Sequence, residues 1–192
     1  MKGITRKEEI VKTAAKLFKE KGYSAVTMRD LATAMGIKAA SLYNHINSKQ
    51  EILKEIIISL AEDFTEGIKN IEKSNLTSIK KIEAVVNLHV DITSKNTDEM
   101  ASLNNDWVHL EEKLEYYLLL RSNYEDEFRN IIKKGIENDE IVNENIDVIL
   151  FSILSTLRLL YLWIPKKEEL KPKELSEQLS KILVKGINKK IN

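Results

Sequence analysis

Apolar residues recur three and four positions apart through successive stretches of this chain, the spacing that lines one face of an α-helix. In the first stretch Ile10, Ala14, Leu17 and Phe18 share a face, and the pattern stops at Lys21-Gly22, where a glycine can take the left-handed conformation of a C-terminal cap. A second helix over 27–35 turns Leu31, Ala32 and Met35 inward. Gly36 then makes a turn, Ile37 enters the core, and a very short third helix runs over about 39–45. The fourth begins at Ser48 and carries Ile52, Leu53, Ile56, Ile57, Leu60, Phe64 and Ile68 through several turns. Further helical patterns cover 76–94, 98–107, 110–138, 145–164 and 172–191, with short polar or proline-containing separators. The expectation is an all-α protein of nine helices.

Three of the helix starts carry one signature, a hydroxyl residue followed three positions later by a carboxylate: Thr5 with Glu8, Thr27 with Asp30, and Ser48 with Glu51. In such a capping box the hydroxyl accepts a first-turn N–H and the acid reaches back to the cap's own N–H. Helix, tight glycine turn and helix over the first fifty residues predict a helix-turn-helix. The expected division is a DNA-binding domain over 1–47 and a ligand-binding and dimerisation domain over 48–192.

Composition agrees with helices: 192 residues, 43% hydrophobic, 31% charged, six glycines and two prolines favour helix over a turn-rich β fold. Cysteine is absent, so disulfides and thiolate metal sites are excluded, and three scattered histidines give no zinc spacing. The first nine residues are polar with no signal-peptide core, which points to the cytoplasm. The apolar stretch 146–164 contains Asp147, Ser152, Ser155, Thr156 and Arg158, and a central arginine is costly in lipid, so a buried helix is expected there. Net charge is zero, but its distribution is not even. Up to Glu55 eleven basic residues stand against six acidic ones, a balance of +5, and the remaining nineteen against twenty-four leave −5. A basic head on an acidic body directs the head toward a polyanion.

The third helix carries the function. A helix that reads base edges needs small residues where its backbone approaches the groove and donors at its ends that grip phosphate. The run Lys38-Ala39-Ala40-Ser41-Leu42-Tyr43-Asn44-His45 supplies both. Leu42 is the inward anchor, while Ala39 and Ala40 are small enough to admit the groove, and either methyl can meet a thymine methyl. Lys38 can reach a guanine or a phosphate, and Asn44 an adenine or the backbone. Thr27 and Lys49 sit at flanking helix N-termini, which favour phosphate. Each has a plainer reading beside it: Tyr43 as a core aromatic, His45 as local packing or a cap, Lys49 as a solvated charge.

The run from Thr27 to Ile37, then Ser41-Leu42-Tyr43-Asn44-His45-Ile46, then Ser48-Lys49-Gln50-Glu51-Ile52-Leu53, resembles the DNA-binding head of tetracycline-repressor-type (TetR-family) regulators over about residues 9–53. The resemblance implies a homodimeric repressor whose ligand-binding body changes the separation of two heads. It also implies roles: Tyr43 and Lys49 on phosphates, Thr27 and His45 on the backbone, and Arg29, Lys38, Ala39, Ala40 and Asn44 at or near base edges, with Ser41 on the same short helix. Lys38 replaces the frequent Ser or Thr, and His45-Ile46 the frequent His-Phe, so the operator cannot be read from the family.

The body resembles the branch of that family that responds to acyl-CoA thioesters, in the segments 103–110, 124–135 and 161–165 with the helix after Pro172. The implied partners are a double-stranded operator, a second copy of the chain and a small hydrophobic or acyl-CoA-type effector, with no cofactor. Met100, Asn104, Trp107, Tyr117, Tyr124, Arg158 and Trp163 are the effector-site candidates, apolar walls with polar tips, which an ordinary core also provides. Arg158 lies inside an apolar run and needs a partner: a carboxylate across a dimer interface, a ligand phosphate, or water at the bundle edge. Stripes at Ile149, Leu150, Ile153, Leu154, Leu157 and Tyr161 and at Leu175, Leu179, Ile182, Leu183 and Ile187 would close a four-helix bundle between two subunits. No glycine-rich phosphate loop or nucleophile with a spaced base argues for an enzyme. The rival readings are a helical protein-interaction adaptor and a DNA-binding regulator without a small-molecule ligand.

Overall fold

In a computed structural model of the chain, residues 4–167 and 169–187 are described. Among them the secondary structure is helical: α1 (Arg6–Lys21), α2 (Met28–Ala34), α3 (Ala39–Tyr43), α4 (Lys49–Lys73), α5 (Ser78–Lys95), α6 (Glu99–Asn105), α7 (Leu114–Glu137), α8 (Ile146–Arg158), α9 (Leu160–Trp163) and α10 (Pro172–Lys185). The one-turn α9 continues α8 beyond a break at Leu159, whose backbone sits at φ −91°, ψ 0°; counted as one broken rod, the pair brings the total among the described residues to the nine expected. Short 3₁₀ turns at Trp107–His109 and Glu111–Lys113 take up part of the predicted seventh helix, which therefore starts at Leu114. The last helix ends at Lys185, and the predicted continuation over 188–191 lies outside the described residues.

The caps explain the helix starts. Thr5 and Thr27 form complete capping boxes with Glu8 and Asp30. The third box is half made: Ser48 Oγ accepts from the Glu51 N–H at 3.1 Å, but the Glu51 carboxylate turns to Asn47, taking its backbone N–H and its side-chain amide at 2.9 Å each. At the end of α2 the Ile37 N–H reaches the Ala32 carbonyl and the Gly36 N–H that of Thr33, both at 3.0 Å. With Gly36 at φ 64° this is a Schellman turn, which fixes the direction in which α3 leaves. Gly22, expected to be left-handed, has the positive φ (81°) but an extended ψ (142°); its N–H still closes α1 onto the Phe18 carbonyl.

Two compact units emerge, and they do not follow chain order: 1–61 with 96–118, and 62–95 with 119–192. In the first, α1 packs on α2 and α6, and Ile10, Ala14, Phe18, Leu31, Leu42, Ile46, Ile52 and Leu53 are buried. In the second, α5 packs on α10, α8 and α9. Its α4 and α5 portions approach closely: a Cβ at Gly67 would stand 2.6 Å from the tip of Leu88. Ile146–Lys166 has the length and composition of a membrane span, yet Ile149, Leu150, Ile153, Leu154 and Leu157 are buried inside the second unit, as expected of a buried helix. The α8 stripe expected to close a bundle between two subunits, with Tyr161 and with Leu175 of α10, is therefore covered within the chain itself.

Gly135 is the tighter glycine, since a Cβ there would overlap the Ile141 side chain and stand 2.8 Å from Ser78 Cβ. Gly135→Ala is expected to destabilise by about 1–3 kcal/mol, the usual range for overpacking. Gly67→Ala should cost less because the tip of Leu88 can rotate away; urea unfolding of both variants checks the order.

Candidate functional site

The candidate DNA-reading surface is built on a helix too short to hold itself. The five residues of α3 form little more than one turn, and an isolated turn is unstable because nucleation fixes several dihedrals for one hydrogen bond. Leu42 and Ile46, both fully buried, hold it in place. Ile46, one of the departures from the common family pattern, thus occupies a core position rather than the surface. With those two inward, Ala40, Ser41, Tyr43, Asn44 and His45 are exposed and Ala39 is half-buried. Tyr43 is 51% exposed, so the core-aromatic reading does not apply to it. Lys38 caps α3 with extended backbone and no side-chain bond, as expected of a side chain with no acceptor, and its ammonium is exposed. Arg29 and Thr27 are exposed at the start of α2, but the Thr27 hydroxyl is engaged in its own box, donating to Asp30 at 2.6 Å. Those bonds hold the Asp30 carboxyl below its ordinary range.

Lys49 behaves differently from its neighbours. Its ammonium donates to the Tyr23 carbonyl at 2.8 Å and stands 4.2 Å from the centre of the Tyr23 ring. The charge is therefore held against the fold, and only the N-terminal position of Lys49 on α4 remains as sequence reasoning had it. Tyr23 is the hub that sequence reasoning missed. Its ring meets Phe18 edge-on at 5.1 Å and stacks on His109 at 5.1 Å, while its hydroxyl donates to Gln50 at 2.6 Å. Gln50 in turn donates to the His109 carbonyl at 2.6 Å, and Lys19 pairs with Asp98 at 2.7 Å. The segment from Asn96 onward is thus bonded to the head within the first unit. No sequence signal links residues so far apart.

The effector candidates fall in both units. Met100, Asn104, Trp107 and Tyr117 belong to the first, where Met100 is buried, Asn104 donates to the Met100 carbonyl at 2.8 Å, and the Trp107 and Tyr117 rings lie 5.9 Å apart. Tyr124, Arg158 and Trp163 belong to the second, with Tyr124 buried and Trp163 41% exposed. Arg158, the last residue of α8, donates to Glu125 Oε1 of α7 at 2.6 Å. Its partner is therefore a carboxylate of the same chain, none of the three considered from the sequence, because a helix pattern does not say which helix packs opposite. Burial alone would raise the Glu125 carboxyl; the bond and charge of Arg158, with Arg121, bring it below its ordinary value.

Beside this pair lies a polar cluster of which the sequence reading singled out only Tyr124. His89 Nε2 and the Tyr124 hydroxyl are 2.7 Å apart, both groups buried, with Phe64 4.7 Å from the His89 ring. His89 Nδ1 and the hydroxyl of Thr93, one turn further along α5, are buried with no hydrogen-bond partner. Burial, with the Arg158 charge nearby, pushes the imidazole down to about 3, so it is neutral. Burial raises the Tyr124 phenol. Among the described residues no group of three His, Cys, Asp or Glu side chains is placed to hold a metal ion.

A basic head whose short second helix of a helix-turn-helix exposes small and polar residues, joined to a helical body, defines a DNA-binding transcriptional regulator. A family model described as bacterial regulatory proteins, tetR family, matches residues 10–56, and one described as the tetracyclin repressor-like C-terminal domain matches 75–187, more than half of the chain. The HTH-type transcriptional repressor KstR2 of Rhodococcus jostii is 30% identical over 145 residues, 74% of this chain and 71% of that protein. The biofilm-operon negative regulator IcaR of Staphylococcus aureus is 43% identical over 51 residues, 27% of each chain. Among solved structures, the ketosteroid transcriptional regulator KstR2 of Mycobacterium tuberculosis superposes with a TM-score of 0.89 at 20% identity, covering 97% of both chains. PfmR of Thermus thermophilus superposes at 0.79 and 24% identity, over 92% of this chain and 97% of that one. The chain belongs to the TetR family: it is a ligand-responsive transcriptional repressor, not an enzyme.

Because Ala40 is exposed, Ala40→Leu is expected to leave the melting midpoint unchanged while lowering specific operator affinity at least tenfold, about 1.4 kcal/mol; calorimetry and fluorescence anisotropy separate the two effects. The neutral burial of His89 sets a pH dependence with a definite sign. Between pH 6.5 and about 3 the unfolded chain takes up a proton that the native imidazole refuses, so stability falls as pH falls through that window. The contribution approaches about 1.4 kcal/mol per pH unit. The loss should be measurably shallower in His89→Phe, by chemical denaturation at pH 7, 6 and 5.

Proposed function

We propose that the protein works in the cytoplasm as a homodimer on a palindromic operator and leaves that operator when a small apolar or acyl-CoA-like effector binds its body. DNA reading is assigned to residues 1–47, and sensing with dimerisation to 48–192. The observation that carries the proposal is the exposed face of α3, anchored from behind by Leu42 and Ile46. Ala39 and Ala40 meet base edges with Arg29, Lys38 and Asn44; Ser41, Tyr43 and His45 hold the sugar-phosphate rails; Thr27 and Lys49 offer backbone N–H groups at helix starts. The name of the mycobacterial neighbour, a ketosteroid regulator, supports an effector that is large and mainly apolar.

Dimerisation is assigned to the outer face of α8 and α10. Val148, Phe151, Leu159 and Ile182 are exposed there, Phe151 and Ile182 by 73% and 71%. Apolar side chains so open to water mark a face that a partner covers. A two-fold axis through it presents two copies of α3 to half-sites one or more turns apart, each turn about 34–36 Å. The route from effector to DNA is α4, whose residues belong to both compact units. A full swing from 1:99 to 99:1 needs about 5.5 kcal/mol of differential affinity.

Phe151→Glu with Ile182→Glu is expected to give a folded monomer by light scattering and to lower operator affinity at least a hundredfold. The fragment upstream of the protein's own gene serves as the probe. A dimer that persists in this double variant, or full DNA binding by its monomer, would overturn the assignment. Thermal shifts against a panel of CoA thioesters and hydrophobic drugs test the effector class.

A further inference from the structure

Among the described residues of the second unit four buried side-chain polar atoms lack a protein partner, His89 Nδ1, Thr93 Oγ1, Ser94 Oγ and Ser180 Oγ, and the first two stand four residues apart on one face of α5. Each such group costs on the order of 1–3 kcal/mol if nothing bonds to it, so a native fold retains it where something does. What that something is follows from the tautomer. If Tyr124 donates its O–H to His89 Nε2, the only unsatisfied ring atom is a donor, Nδ1–H. If the ring donates to Tyr124 instead, both Nδ1 and the phenolic hydrogen are left unmatched. The first arrangement leaves fewer buried groups unpaired and is the one adopted.

Around the cluster the charges are already matched, since Arg158 and Glu125 bond to each other at 2.6 Å. Phe64 walls the imidazole on one side. The site therefore offers donors in an apolar setting and no free charge, which suits an uncharged acceptor and penalises an anion. We propose that His89 and Thr93 donate hydrogen bonds to one uncharged carbonyl oxygen of the effector, in a ketone, ester or thioester, with Tyr124 as the positioning residue that sets the tautomer. This rests on the reading of residues 48–192, which include this cluster, as effector-binding. It adds the recognition chemistry: a ligand without an acceptor loses two hydrogen bonds, whereas an alkyl homologue loses only contact area.

The test uses full-length protein labelled with ¹⁵N-histidine, in which His89 is one of three histidines. Decan-2-one and trans-1-decalone are the probes, with dec-1-ene, decalin and decanoate as controls. In the free protein His89 is expected to show a fixed Nδ1–H tautomer, and both ketones to shift that resonance while the controls do not. Thr93→Val removes a hydroxyl at constant volume. It should raise the melting midpoint by about 2–4 °C and weaken both ketones about tenfold. A role in packing alone would not change ketone affinity. The inference is overturned if neither ketone moves the His89 signal, if the hydrocarbons or decanoate bind as tightly as the ketones, or if Thr93→Val leaves ketone affinity unaltered. It is also overturned if a bound-water cross-peak to Nδ1–H persists in saturating ketone. Operator binding is read in the same samples by anisotropy. A ketone held at His89 without release of DNA would count against the repressor mechanism and leave the carbonyl site standing.

Discussion

The exposed face proposed to read DNA depends on the burial of Leu42 and Ile46 behind a helix of five residues. A segment that short has no stability of its own in water, so its position and its exposed face are set by what lies beneath it. The Schellman turn at Gly36 aims it, and the two apolar anchors fix its rotation. Which side chains are exposed from Ala40 to His45 follows from that rotation. A slip of one residue would put about 100° between the alanine face and the groove.

The clusters around Tyr23 in the first unit and around His89 in the second handle polar groups in opposite ways. In the first, Tyr23 gathers Phe18, Lys49, Gln50 and His109 into a network in which a carbonyl, a ring face and a hydroxyl are each matched. Such a network gives rigidity, as a part that must present a fixed surface requires. In the second, His89 and Thr93 keep unmatched polar atoms inside an apolar core, next to a fully paired arginine and glutamate. Unmatched donors lower the stability of the free state and raise the gain when an acceptor arrives. That difference in free energy between bound and unbound protein is what a ligand-driven switch works with.

Much of the architecture was legible from residue order. The apolar period located the helices to within a few residues, and the Thr5–Glu8 and Thr27–Asp30 boxes marked two starts that the structure completes. Leu42 inward and Ala40 outward follow from the helical angle between them. The Ser48 box, Gly22 and the break at Leu159 came out differently, because each depends on a neighbour that competes for the same group or on curvature imposed from outside. The candidate site was less legible. Tyr43 stays free of the core as expected, but Lys49 turns back onto Tyr23, whose carbonyl and ring lie 26 residues earlier in the chain.

The sequence by itself determined the helical class, the helix-turn-helix, the basic head and the family, since these rest on local periodicity, capping and charge along the chain. Only the tertiary structure decided the partner of Arg158, the burial of His89 beside Tyr124, and the inclusion of residues 96–118 in the same compact unit as α3. Helical periodicity states which face of a helix turns inward. It carries no information about which other helix it meets, and buried charge, tautomer and hydrogen bonding are all properties of that meeting.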